Sequence, residues 1–256
     1  MFSEEIKQAA QPILHDIQQH PFVQGIQAGK VPSAALAVYV EQDTCFLNAF
    51  AKVFAGALVK SQTKERMRFF SEQIQYSLAD ESAAHQILCD IAGIELAEHQ
   101  HAEPRPLTAL YTEHLFTAVR EGDLLDIAAV VLPCPWTYNE ISQAIVENAA
   151  PDNPFLPWIE FYQGDEEGAG DDSVTQLFAM LDEAAPKLSA QRKEEITHRF
   201  LRSCELEYDF GNRRIRKRIG SIGGNKKTLK LAYFKMKAEI MRCGFPLFLV
   251  GAFSVA

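Results

Sequence analysis

The stretch SAALAVYVEQDTCFLNAFAKVFAGALVK, residues 33–60, decides the fold class. Leu36, Val40, Asp43, Leu47, Phe50 and Phe54 succeed one another at steps of four and three, the spacing of one helical face. Gly29 and Pro32 punctuate the chain just before it. One member of that face is a carboxylate. Asp43 therefore points into the interior, where a charge costs on the order of several kcal/mol unless it is paired or hydrogen-bonded.

Outward from this segment, apolar residues recur at intervals of three and four, and few segments alternate with period two. The spacing predicts helices over residues 3–19, 33–60, 63–77, 80–98, 106–121, 123–149, 154–164, 173–185 and 189–210. Gly122-Asp123 and Pro151 to Pro154 mark two of the breaks. Helices joined by short loops form an antiparallel bundle, so the expected fold class is all-α with one helical domain over residues 1–210. The acidic stretch GDEEGAGDD, 164–172, reads as a solvated loop, because its spacing does not fit a calcium-binding loop.

The predicted 123–149 helix repeats the polar-in-apolar pattern with Ile127, Val131, Cys134, Tyr138, Ile141 and Ile145. Cys134 and Tyr138 share one face, one turn apart. Pro133 and Pro135 flank the thiol, and proline inside a helix removes a hydrogen bond at a cost of roughly 3 kcal/mol. A buried cysteine is ordinarily a small hydrophobe. A cysteine inside a proline-distorted turn is a candidate site instead. Tyr111, on the stripe Leu107, Tyr111, Leu115, Ala118, and Tyr162, after Phe155, Trp158 and Ile159, add two phenols. Glu207 follows Phe200 and Cys204 near the end of the last predicted helix. Singly, each is a satisfied core residue. Together, a thiol, two carboxylates and three phenols on inward faces point to a polar cavity.

Composition bounds the function. The chain has 256 residues, 47% of them hydrophobic, and a formal charge of −9, which argues against nucleic acid as a partner. Five scattered cysteines form no C-x-x-C pair, as a reducing compartment permits. The start, MFSEEIKQAA, lacks the apolar core of a signal peptide, and no apolar run is long enough for a membrane span. A cytoplasmic location is expected, with no membrane partner. Charge is uneven: residues 211–256 hold 11 Lys/Arg against one acid, and residues 1–210 hold 14 against 33.

The segments HPFVQGIQAGKVPSAALAVYVEQD (20–43), ALYTEHL (109–115), VLPCPWTY (131–138), PWIEFYQGDE (157–166) and SCELEYDF (203–210) resemble, in order and interval, the thiaminase II/TenA family. The resemblance covers about residues 1–210. It implies a haem-oxygenase-like fold without haem or other cofactor, assembled as a homotetramer. The implied activity is hydrolysis at the aminomethyl position of 4-amino-5-aminomethyl-2-methylpyrimidine, or of thiamine, giving the hydroxymethylpyrimidine used in thiamine salvage. By the same resemblance Cys134 is the nucleophile that adds to the pyrimidine ring, and Glu207 protonates a ring nitrogen. Asp43 holds the amidine edge, Tyr111 and Tyr138 surround the thiol, and Tyr162 packs on the ring.

Two departures accompany the match. Phe46 stands where many relatives have tyrosine, which bears on substrate preference or rate. After Phe210 the text becomes GNRRIRKR and later CGFPLFLVGAFSVA, a basic and then apolar tail that resembles a reading-frame shift. A tail that alters the last helix leaves a second reading open, a catalytically impaired pyrimidine-binding relative. A di-iron carboxylate site is the rival from another enzyme class, but only Glu195 and His198 have its Glu-x-x-His spacing.

Overall fold

In the computed structural model, which describes residues 1–163 and 169–211, long apolar-faced segments form helices, and no strand occurs among the described residues. They are α1 (Phe2–Gln18), α2 (Pro21–Gln27), α3 (Ser33–Lys60), α4 (Lys64–Gln75), α5 (Glu81–Ala92) and α6 (Leu96–His99). Then follow α7 (Pro106–Glu121), α8 (Leu124–Val131), α9 (Pro133–Val146), α10 (Leu156–Gln163), α11 (Ala169–Ala184) and α12 (Ala190–Gly211). The all-α bundle expected from periodicity is what the chain forms. The predicted stripe of α3 is buried at all six positions, Asp43 included.

Five boundaries differ from the expectation, most for a local reason. The predicted helix over 123–149 divides into α8 and α9 at Leu132. Pro133 and Pro135 cannot donate to the carbonyls one turn back, although Leu132 itself keeps helical angles, φ −59° and ψ −37°. The predicted helix over 80–98 divides into α5 and α6, because Gly93 takes a left-handed φ of +69°. The segment Pro21–Gln27, predicted as no helix, forms α2: His20 caps it, its ring Nδ1 accepting the Phe22 amide at 3.1 Å. Helix α4 closes on a π-turn, Tyr76–Asp80. Of the stretch 164–172 predicted as an acidic loop, residues 169–172 belong to α11. The rest of that stretch, and the tail 212–256, lie outside the described residues.

Packing brings α3 against α4, α5, α7 and α8, and lays α12 across α1, α7, α8 and α9. The helices carrying the candidate carboxylates, α3 and α12, are thus held by shared neighbours. A polar clamp fixes α12 to α8. Asp123 caps α8 in a reciprocal capping box with Asp126, whose buried carboxylate also takes Arg192 Nη2 at 2.7 Å and Arg199 Nε at 2.8 Å. Close backbone approach occurs at Gly56 of α3, where a Cβ would meet Val119 Cγ1 of α7 at 2.6 Å. Asn153 ties the start of α10 to the end of α2, donating to the Ile26 and Gln27 carbonyls at 2.9 Å each. Gly29, with φ +67°, folds the intervening turn against Pro154 and Asn153.

Candidate active site

Helix α12 delivers Glu207 to the interior, where the Tyr111 hydroxyl of α7 donates to Oε1 at 2.6 Å. Burial, followed by the negative charge of Glu207, pushes the Tyr111 phenol well above its ordinary range, so it stays protonated and remains a donor. Its ring lies 4.8 Å from Phe46, centroid to centroid, so the position where a phenol was expected from the resemblance presents an apolar face to Tyr111.

Helix α3 delivers Asp43. Its Oδ2 lies 2.9 Å from His85 Nε2 of α5, and both side chains are buried. This pairing answers the desolvation problem posed by a carboxylate on an apolar face. Neighbouring residues tie α3 down further. The Gln42 Oε1 accepts the Arg105 amide and the Thr108 hydroxyl at 2.7 Å each, and Glu41 Oε1 lies 3.0 Å from His99 Nδ1.

Helix α9 carries Cys134 in its first turn and Tyr138 one turn later. Both are half-buried. The Tyr138 hydroxyl sits 2.5 Å from that of Tyr39, and its ring is 4.7 Å from Tyr162. Burial raises the Tyr138 phenol well above its ordinary value, and the charges of Tyr39, Asp43, Glu207 and Cys134 add to the effect. Of the six predicted residues, Tyr111 is bonded to Glu207 and Tyr162 packs against Tyr138.

The six do not all face the same space. A pocket is lined by Glu207, Tyr138, Tyr162, Tyr39 and Trp158 together with apolar side chains of α1, α2 and α9. Asp43, Tyr111 and Cys134 are not among its lining residues. Sequence reasoning missed three contributors. Tyr39 precedes Asp43 by one helical turn and was accessible from spacing alone. Trp158 was placed on a core stripe without a role. His85 stands 42 residues from its partner, and no local pattern pairs them.

The rival metal reading finds little to use. Glu195 sits at the surface, accepting from Gln191 at 3.0 Å, and among the described residues no three His, Cys, Asp or Glu side chains group as metal ligands. Nor does any helix among the described residues have the length and apolarity to cross a membrane.

An "Aminopyrimidine aminohydrolase" of Halalkalibacterium halodurans is 32% identical over 225 residues, covering 87% of this chain and 99% of that protein. One of the same name from Helicobacter pylori is 33% identical over 210 residues, covering 81% and 95%. Among solved structures, a TenA family transcription regulator from Silicibacter superposes with a TM-score of 0.72 at 28% identity, over 83% of this chain and 95% of that one. A Shewanella denitrificans domain described as having a heme oxygenase-like fold superposes with a TM-score of 0.63 at 14% identity, over 82% and 90%, a likeness of fold. The bundle is thus haem-oxygenase-like. The model of the TENA/THI-4/PQQC family matches residues 7–217, seven residues past the Phe210 at which the motif resemblance ends. The chain belongs to the TENA/THI-4/PQQC family.

Proposed function

We propose that the protein is an aminopyrimidine aminohydrolase that hydrolyses 4-amino-5-aminomethyl-2-methylpyrimidine, and thiamine, to the hydroxymethylpyrimidine of thiamine salvage by covalent catalysis. The observation that carries this reading is a hydrogen-bonded carboxylate, Glu207, on the wall of a pocket that it shares with Tyr138 and Tyr162. The two best-covered features of the chemistry, an anchored carboxylate for an amidine edge and a hydrogen-bonded carboxylate for a ring nitrogen, both have structural counterparts in Asp43–His85 and Tyr111–Glu207.

In this mechanism the Cys134 sulfur adds to a ring carbon while Glu207 delivers a proton to a ring nitrogen, the thiol proton passing within the site. Electrons returned from the ring expel the nitrogen with the C–N pair, so that an alkylammonium leaves as neutral amine and the thiazolium of thiamine as neutral thiazole. Water adds to that methylene, the C–S bond breaks, and the thiol is restored. The balance is one water consumed and one amine, or one thiazole, released. Tyr111 and Tyr138 act as neutral donors, because burial keeps both phenols protonated. The same proposal includes a homotetramer, which analytical ultracentrifugation of the full chain tests.

Release of hydroxymethylpyrimidine by the wild type and by Cys134→Ala decides the chemistry. Wild-type turnover that falls to background in the variant is the expected result. Turnover that survives the substitution removes Cys134 from the mechanism. A folded wild type that binds the pyrimidine without turnover makes it a binding protein.

A further inference from the structure

Trp158 is the residue that the proposed chemistry leaves unused. Its side chain is 6% exposed and lines the same pocket as Glu207, Tyr138 and Tyr162. Its Nε1 is buried and has no hydrogen-bond partner, alone in this among the described side chains. An indole N–H is a donor and never an acceptor. A buried donor without an acceptor forgoes a bond that nearly every such group in a folded protein makes. The surrounding rings supply no lone pair in the right place: Tyr39, Tyr138 and Tyr162 present themselves edge-to-face, with centroids 5.0–6.2 Å from the indole.

We propose that the Trp158 indole N–H is the hydrogen-bond donor for the heteroatom carried on the exocyclic methylene of the substrate. This rests on the function proposed above. There, Asp43 takes the amidine edge and Glu207 the remaining ring nitrogen, so the polar atom left over is the one attached to the methylene. That atom becomes an acceptor as the reaction proceeds. The departing nitrogen gains an electron pair as the C–N bond breaks, the attacking water brings one, and the product hydroxyl keeps one. A donor fixed at this seat favours the departing nitrogen and the product hydroxyl over the cationic nitrogen of the bound substrate.

The chain contains two tryptophans, which makes a direct reading possible. Trp136 already donates to Glu140 Oε1 at 3.1 Å, so its indole signal serves as the internal control. With indole-15N-labelled full-length protein, saturation with 4-amino-5-hydroxymethyl-2-methylpyrimidine is expected to move the Trp158 indole proton downfield and leave that of Trp136 in place. The analogue 4-amino-2,5-dimethylpyrimidine, which lacks the hydroxyl, is expected to leave both in place. Trp158→Phe is expected to weaken the hydroxymethyl ligand about five- to tenfold, the scale of one neutral hydrogen bond. It should change affinity for the dimethyl ligand by no more than about twofold, since the lost contact is absent there.

Equal displacement of the Trp158 signal by both ligands, or equal weakening of both by Trp158→Phe, overturns the assignment, because the indole then reads only the ring. A wild type that hydrolyses the substrate while its Trp158 signal ignores the product overturns the assignment and spares the function. A wild type that neither hydrolyses nor binds the pyrimidine overturns both.

Discussion

Tyr111 and Glu207 meet across two helices with almost no surface exposed, 1% for the phenol and 8% for the carboxylate. A hydrogen bond to a charged group in such a place contributes about 1.5–3 kcal/mol, and Tyr111→Phe is expected to lower unfolding stability by that amount in urea titration. The ring of Phe46 beneath it keeps the packing, so the loss reports the hydroxyl rather than a cavity. His85 poses the complementary case. Truncating it to alanine leaves the Asp43 carboxylate buried without that partner, whereas His85→Asn preserves a donor near Oδ2. The expected order of stability is wild type, asparagine, alanine, and pyrimidine affinity should follow the same order. The residues themselves were legible at this scale, because polar side chains at helical spacing among apolar ones announce an interior site. Their bonds were not. Nothing local in α5 distinguishes His85 as a ligand of Asp43, and an indole on a core stripe looks the same whether or not its N–H has a partner.

Elements were legible in proportion to their length and to the clarity of their ends. Helices α3 and α7 have the bounds predicted for them, since each is long and starts at or beside a proline. The division at Leu132 was hidden because the apolar stripe continues unbroken from Ile127 to Ile145 while only hydrogen bonds are lost. Helix α2 is too short for periodicity, and its start depends on a ring nitrogen acting as a cap. Two substitutions probe how the elements hold the site. Gly56→Ala gains about 1 kcal/mol of helix propensity in α3 but sets a methyl against stiff, β-branched Val119. Overpacking of this kind costs about 1–3 kcal/mol, so a lower Tm is expected. Asp126→Asn breaks the clamp between α8 and α12. With the arginines about a quarter exposed, at 23% and 25%, its loss falls below that of a fully buried pair. It is expected to cost about 2–3 kcal/mol in chemical denaturation, and to impair catalysis because α12 carries Glu207.

At the scale of the whole molecule, acid should weaken the fold in two stages. Burial, then the charges of Arg199, Arg202 and His198, pulls the His114 imidazole down to about 4, where it stays neutral against the Ser203 hydroxyl 3.0 Å away. An unfolded chain binds that proton near its ordinary pKa of about 6.5, so this part of the stability is complete above that pH and drains away toward 4. Asp126 follows at lower pH. Burial alone would raise its carboxyl, but hydrogen bonds from Arg192 and the Asp123 amide hold it below the usual range, and its contribution disappears as it is finally protonated. Thermal melts between pH 7 and pH 4.5 are expected to show a steeper fall for wild type than for His114→Gln, whose amide does not titrate. Glu41, Gln42 and Asp43 add a different kind of constraint. Three consecutive residues, each turned about 100° from the last, hold three separate parts of the chain: His99, the Arg105–Thr108 backbone and side chain, and His85. A substitution at any one of them is a local loss. Deleting a single residue anywhere in the preceding turns of α3 would instead hand every anchor to the wrong neighbour at once. Descendants of this sequence are therefore expected to vary here by replacement and hardly ever by length, so that the spacing of these three positions is inherited more faithfully than their chemistry.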